Sequence, residues 1–248
     1  MKAIMLVAGY ATRLYPLTEN KAKGLLPLAG RPIIDYTFDK LEKIDCIDEA
    51  ILVSNHKFYE QFVQWANGYK GRIKITVLDD KTTSNDNRLG AIGDMQYAID
   101  QCNVDDEIMV LVSDNYFTYS LVDYYNFYRK VNADCVLGCE FDDMDYLAHN
   151  FAVATVDQDS KITSLVEKPG VATSNIGVYA TYIYTKDTVK LVKKYLAEGN
   201  SKDAPGNFPS WLYHFKPVYL YKFAGECYDI GTVKVYNELN DKLSKQNN

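Results

Sequence analysis

Five apolar residues in a row, Ala3-Ile4-Met5-Leu6-Val7, run directly into Ala8-Gly9-Tyr10-Ala11-Thr12-Arg13 at the start of the chain. A short apolar run without alternation suits a strand buried on both faces, as in a parallel sheet covered by helices. The loop then leaves the carboxyl end of that strand, where open α/β sheets bind ligands. The small residues Ala8, Gly9 and Ala11 let the main chain approach an anion, and successive N–H groups can form a donor nest around it. Arg13 adds a bidentate fork, and Lys23, in Lys21-Ala22-Lys23-Gly24-Leu25-Leu26-Pro27, adds a mobile point charge. The stretch reads as a phosphate-handling loop; a small-residue loop with one Arg also reads as a plain structural turn.

The alternation of strand and helix continues along the chain. Helices are predicted from Gly30-Arg31-Pro32 through Lys43, over 57–65, from about Leu89 to Gln101 and over 120–130. Strands are predicted at 50–53, 72–77, 108–112 and 135–138, which implies parallel order with right-handed crossovers. Asp79 to Arg88 is polar and turn-rich and reads as a surface loop. The second half changes character. Strand-like runs at 151–156, 162–166 and 177–184 predict a smaller antiparallel or mixed sheet that covers the site. A helix over 186–198, a short helix through Trp211, a strand at 218–223 and a terminal helix to about Leu243 complete the chain.

At 248 residues, 47% hydrophobic and 24% charged, the chain is expected to form one large α/β domain. Its net charge of −6 argues against a general nucleic-acid binder, so any positive field is local. No apolar run reaches the ~18 residues of a membrane span, and no basic-apolar leader opens the sequence; a cytoplasmic enzyme is expected. Cys46, Cys102, Cys135, Cys139 and Cys227 are odd in number and lack C-x-x-C spacing, which favours free thiols.

Ala8 to Thr18 together with Lys23-Gly24-Leu25-Leu26-Pro27 resembles the signature of the nucleotidyltransferase superfamily that activates sugar phosphates. That signature is an apolar strand, Ala-Ala-Gly-x-Gly-Thr-Arg-Leu-x-Pro-Leu-Thr, then Pro-Lys-x-Leu-Leu-Pro. This chain departs from it at Val7 and at Ala11, where the family has glycine, so a stiffer loop is expected. Ser113-Asp114-Asn115 is similar to the family's Gly-Asp-Asn, and Tyr228-Asp229-Ile230-Gly231-Thr232 to its Trp-x-Asp-x-Gly-Thr. The resemblance implies that Asp114 and Asp229 hold Mg²⁺, although Asp229 alone reads as a cap or turn residue. It also implies transfer of a nucleotidyl group from a nucleoside triphosphate to a phosphorylated small molecule, with release of pyrophosphate. Ala8, Gly9, Ala11 and Thr12 would then cradle the nucleotide's phosphates, with Arg13 and Lys23 as catalytic groups.

The base would be read around Asn87, Arg88 and Gly90; the Gly-Leu-Ala-Gln pattern of thymidylyl-type members is missing, and CTP, UTP and dTTP all stay open. Val166-Glu167-Lys168-Pro169 is similar to the family's Glu-Lys-Pro element, which implies Glu167 on acceptor hydroxyls and Lys168 on the acceptor phosphate. Lys168 before a proline at a strand end also reads as edge punctuation. Asn115, Tyr179 and Ala152 are expected to complete the acceptor pocket. Ala152 and Ala180 stand where the family has glycines, so a shallower pocket is expected. Tyr116, Phe117, Tyr119, Tyr179, Tyr182, Trp211 and Tyr228, with Asp142, Asp143 and Asp145 in a nearby loop, suggest an alternative acceptor bearing an ammonium, phosphocholine or an aminoalkylphosphonate. The bland reading of those rings is core.

The resulting expectation is a Rossmann-like α/β fold: a mainly parallel mixed sheet flanked by helices, with a small β-rich acceptor-binding subdomain. Residues 1–140 would form the nucleotide-binding core and residues 141–248 the acceptor-binding and second metal-ligand part of a single domain. A glycosyltransferase is the first rival, but it should carry Asp-x-Asp where this chain has Asp114-Asn115-Tyr116; a non-catalytic nucleotide sensor is the second. No hexapeptide periodicity is present, and the sequence leaves homo-oligomerisation open.

Overall fold

Apolar side chains on both faces put β1 (Lys2–Leu6) in the middle of the sheet, with Ala3, Ile4 and Met5 fully buried. The computed structural model describes residues 1–113 and 115–246. After β1 come the two-residue strands β2 (Pro27–Leu28) and β3 (Arg31–Pro32), then α1 (Ile33–Leu41), β4 (Glu49–Ser54), α2 (Tyr59–Gly68) and β5 (Lys74–Asp79). The chain continues through α3 (Ala91–Gln101), β6 (Ile108–Val112), β7 (Asn115–Phe117), α4 (Leu121–Val131), β8 (Asp134–Glu140) and α5 (Met144–Asn150). It ends with β9 (Ala152–Val156), β10 (Ile162–Glu167), β11 (Ile176–Tyr184), α6 (Lys186–Val189), α7 (Leu191–Ala197), α8 (Asn207–Leu212), β12 (Val218–Lys222), β13 (Cys227–Asp229) and α9 (Val233–Gln246).

A nine-stranded mixed sheet runs β10-β9-β11-β6-β1-β4-β5, with β8 paired to β11 and β12 to β8. β1 is parallel to both neighbours, Ile4 facing Ile51 on β4 and Val110 on β6. The carboxyl ends of β1, β4 and β6 therefore open on one edge, as parallel order requires. Helices cover both faces. One core cluster gathers Phe38 of α1, Phe62 of α2 and Tyr124 of α4; the other gathers Ile92 and Met95 of α3 with Phe208 of α8. The α/β class read from the sequence is the class observed. No helix among the described residues is long and apolar enough to cross a membrane.

Two local expectations change. The strands of the second half do not make a sheet of their own. β11 pairs with β9 through Ile176–Val178 and with β6 through Thr181–Tyr184, so these strands extend the main sheet. The cause is in β11 itself: eight of its nine residues are buried, and a strand buried on both faces needs partners on both edges. The acidic stretch Asp142-Asp143-Asp145 is also not a simple loop. Asp143 caps α5, its Oδ1 accepting the Tyr146 amide at 2.9 Å. Two small ladders stand apart from the main sheet, and one of them, β7 with β13, sets Asp229 opposite Asn115.

Candidate active site

The phosphate-loop residues owe their positions to β1 and to hydrogen bonds that fix the chain just beyond it. The fully buried Asn55 donates through Nδ2 to the Ala8 carbonyl at 2.8 Å. Thr18 Oγ1 and the Leu14 amide both donate to the Ala11 carbonyl, at 2.7 and 2.9 Å. Ala11 is thereby held at φ 48° and ψ 42°, the left-handed region that glycine enters more easily. Arg13 follows on a 3₁₀ turn, exposed toward the cleft, while Leu14 is buried beneath it.

Lys23 opens a second 3₁₀ turn, pressed against the end of β6. Gly24 makes that approach feasible, because a Cβ there would fall 2.7 Å from Ser113 Oγ and 3.2 Å from the Ser113 carbonyl oxygen. The Lys23 side chain is 10% exposed, and its Nζ lies 3.8 Å from Asp229 Oδ1, whose side chain is 44% exposed. A Cβ on Gly231 would sit 3.7 Å from Arg13 Nη2 and 3.6 Å from Asp229 Oδ2, so arginine and carboxylate face one another across that glycine. Two cations and one carboxylate thus converge beside a loop of small residues.

These groups border a cleft of about 390 Å³ at the carboxyl ends of β1 and β6. Ala8, Gly9, Ala11, Thr12, Arg13 and Lys23 line one end; Arg88, Gly90, Ala91 and Asp94 line the other. At the second end the chain from 201 to 206 crosses over. The amides of Ala91 and Ile92 donate to the carbonyls of Asp203 and Lys202 at 3.2 and 2.9 Å, and Arg88 Nε lies 3.2 Å from Asp203 Oδ1. Gly90, at φ 83°, has room for no side chain there: a Cβ would fall 2.5 Å from the Lys202 carbonyl oxygen.

Other expected positions fall elsewhere. Asn87, expected to read the base, closes its own turn: its Oδ1 accepts from the Ser84 amide at 3.0 Å in a capping box. Tyr179 and Ala152, expected in the acceptor pocket, are both buried, Ala152 beside Glu167, since a Cβ on Gly206 would meet both of those side chains. Tyr179 is packed among Phe141, Phe151 and Phe223, with centroids 6.0, 5.0 and 5.6 Å away, and Ala152 is 2% exposed. Phe117, Tyr119 and Tyr182 are likewise core, as the bland reading of the aromatic residues held. Glu167, at the end of β10, meets Gly206, where a Cβ would collide with its Oε2. Burial pushes the Glu167 carboxyl up, against the pull of neighbouring Lys168, which is itself exposed at φ 44°.

Asp114, expected as a metal ligand, lies outside the described residues. Among the described residues no three His, Cys, Asp or Glu side chains gather as a metal site. Asp229 nevertheless fits a hard divalent ion that draws its remaining ligands from phosphates, since its side chain is 44% exposed and borders the end of the cleft that holds Arg13 and Lys23. Sequence reading missed Tyr10, Asn85, Asp94, Ser113 and Asp203 as cleft residues. Tyr10 and Ser113 lie within motifs the sequence displays, and Asp94 left a signal of its own, a carboxylate on the apolar face of α3 beside Ile92, Met95 and Ala98.

A family model described as Nucleotidyl transferase matches residues 2–246 of this chain. The UTP–glucose-1-phosphate uridylyltransferase AglF of Haloferax volcanii is 28% identical over 191 residues, covering 75% of this chain and 72% of that protein. The bifunctional protein GlmU of Methanocaldococcus jannaschii is 31% identical over 196 residues, 78% of this chain but 42% of its own length, so this chain matches less than half of it. A UDP-glucose pyrophosphorylase crystallised with UDP-glucose superposes with a TM-score of 0.83 at 19% identity, over 99% of this chain and 98% of that one, a likeness of fold.

Proposed function

Since the chain belongs to the nucleotidyl transferase family, we propose that it transfers a nucleoside monophosphate from a pyrimidine nucleoside triphosphate to a phosphorylated small molecule such as a sugar 1-phosphate. The observation that carries this reading is the convergence of Arg13, Lys23 and Asp229 beside the small-residue loop at the carboxyl ends of β1 and β6. Residues 1–140 supply the nucleotide end of the cleft in this reading and residues 141–248 the acceptor side.

An acceptor phosphate oxygen attacks the α-phosphorus, a new P–O bond forms in line with the breaking bond to the bridging oxygen, and pyrophosphate leaves with the electron pair. The nucleophile needs no general base, because a phosphate monoester has a second pKa of about 6. Arg13 and the amides of the loop bind the departing phosphates, and Lys23 neutralises charge that builds at the α-phosphate. Asp229, with Asp114, would hold Mg²⁺, which supplies further charge neutralisation on the phosphates when bound.

A second acceptor class has one observation in its favour. Tyr146 of α5, 48% exposed and edge-on to Phe151 at 5.8 Å, feels the charges of both Asp229 and Arg13. An exposed ring between a carboxylate and the acidic start of α5 suits an ammonium, as in phosphocholine or an aminoalkylphosphonate.

The test is pyrophosphate release with Mg²⁺ across CTP, UTP, dTTP, ATP and GTP against glucose 1-phosphate, phosphocholine and 2-aminoethylphosphonate. Turnover with a pyrimidine triphosphate and a sugar phosphate is expected. Turnover confined to ammonium-bearing acceptors selects the second class. Nucleotide binding with no pyrophosphate release under any pair overturns the transferase reading in favour of a sensor.

A further inference from the structure

The end of the cleft remote from Arg13 and Lys23 holds two carboxyls that phosphoryl chemistry does not require. Asp94 lies on α3 and lines the cleft, Asp80 follows β5, and they are 5% and 6% exposed. Asp80 Oδ1 accepts the Thr82 amide at 2.7 Å. Asp80 Oδ2 and Asp94 Oδ1, by contrast, are buried with no donor, as is the neighbouring Thr82 Oγ1. The two carboxyls are in hydrogen-bonding contact with each other. Two carboxylate oxygens can share such a contact when one of them carries a proton, since an ionised carboxylate has no hydrogen to give.

The surrounding groups leave that arrangement intact. Tyr10 donates its hydroxyl to the Thr82 carbonyl at 3.1 Å. Asp79 is engaged by His56 at 2.7 Å and Lys81 at 3.0 Å. Lys202 Nζ donates to the Arg88 carbonyl at 3.3 Å and reaches Asp94 through its charge alone. Burial first, and then the charge of Asp80, push Asp94 up to about 8, so that near pH 7 it is a neutral acid. Burial raises Asp80 as well, against the pull of the Thr82 amide. A buried acid pair is an expensive way to fill a core position that leucine would suit.

The charges also orient a nucleoside triphosphate in the cleft. Its anionic tail is drawn to Arg13 and Lys23, whereas at the α3 end the Arg88 charge is paired with Asp203 and the carboxyl pair repels phosphate, which leaves the base at that end. We infer that Asp94 Oδ2 accepts a hydrogen bond from an N–H on the Watson–Crick edge of a pyrimidine base, with Asp80 positioning Asp94 by accepting its acid proton. The inference rests on the nucleoside triphosphate reading above. The donor is either the 4-amino group of cytosine or the N3–H of uracil, and one acceptor oxygen serves both.

The experiment is equilibrium binding to the whole chain of CTP, UTP and the triphosphate of pyrimidin-2-one riboside, which has neither donor. The parent should bind CTP or UTP about ten- to a hundredfold more tightly than the donorless analogue, and the tighter of the two names the group that is read. In Asp94→Leu the three should bind within about twofold of one another. Asp94→Asn keeps an amide donor for Asp80 and a carbonyl for the base, so it should keep the preference. The parent's affinity should fall as pH rises past about 8, where the pair gains a second charge, while that of Asp94→Asn stays level.

An Asp94→Leu protein that retains the parent's preference overturns the inference and leaves the transferase reading standing. Should Asp94→Leu fail to fold, Asp94→Asn decides, since a decline past pH 8 as steep as the parent's overturns it too. A parent that binds no nucleoside triphosphate overturns both readings together.

Discussion

The end of the cleft proposed to bind phosphates and the side proposed to bind the acceptor are built differently. Ala8 to Arg13 and Lys23 are close in sequence and hang from one strand end, where Thr18 holds the Ala11 carbonyl from nearby and Asn55 and Ser113, from the ends of β4 and β6, hold Ala8 and pack on Gly24. Glu167 comes from the end of β10, Gly206 from the chain before α8, and Tyr146 from α5, so their relation depends on how the second-half strands join the main sheet. A site carried by one short stretch of chain keeps its groups in fixed order whichever acceptor the rest of the fold presents. A site assembled from distant segments can be re-specified by moving one of them, and that is a reason for substrate choice to reside there.

The sharpest test of this contrast is Lys23→Ala. The Lys23 side chain is 10% exposed, so its charge acts through little water, and losing it should lower kcat/KM by roughly 10²- to 10³-fold whichever acceptor is used. Steady-state kinetics with two acceptors checks this. A loss that differs strongly between acceptors would break the comparison, because it would make Lys23 part of acceptor selection.

Glu167→Gln should have the opposite profile. The acceptor KM is expected to rise about tenfold with the nucleotide KM unchanged, as when one hydrogen bond to a charged group is weakened. Stability should move the other way. Burial raises the Glu167 carboxyl above its ordinary range in the folded chain. Its folded-state stability is therefore complete below the ordinary carboxyl pKa and declines as pH rises through the raised folded value. Glutamine does not titrate, so urea unfolding should find the variant no less stable than the parent at pH 5 and more stable at pH 8. A variant that is less stable at both would mean that Glu167 is held by partners and not tolerated for function.

The same division explains what the sequence disclosed. The apolar run of β1, its glycine-containing loop and the strand–helix alternation are patterns of adjacent residues, and each reappears in the fold at nearly the expected place. The packing of Tyr179 illustrates what adjacency does not carry. Whether a β11 side chain meets the acceptor or Phe151 depends on which face the strand presents, and pairing on both edges of β11 decided that. Asn87 shows a local effect that spacing does not reveal, since a polar side chain that can cap its own turn has a partner before any ligand arrives. Asp94 was legible in principle: an acid amid Ile92, Met95 and Ala98 breaks the helical pattern. Only the nearness of Asp80 gives that break a meaning.

The smallest expected effect belongs to Ala11. Holding a residue with a Cβ at φ 48° costs roughly 1 kcal/mol. Glycine would remove that strain but would add about 0.5–1 kcal/mol of entropy to the unfolded chain, so Ala11→Gly should change stability by less than about 1 kcal/mol. The Thr18 and Leu14 hydrogen bonds to its carbonyl remain available in the variant and keep the loop's path. The expected loss in kcat/KM is accordingly less than about threefold, measured beside unfolding of the same protein. A larger loss without a change in stability would sharpen the comparison. It would mean that the methyl group of Ala11 restricts the loop to the arrangement of amides that the departing phosphates require, so that rigidity at this end of the cleft is itself part of the catalysis.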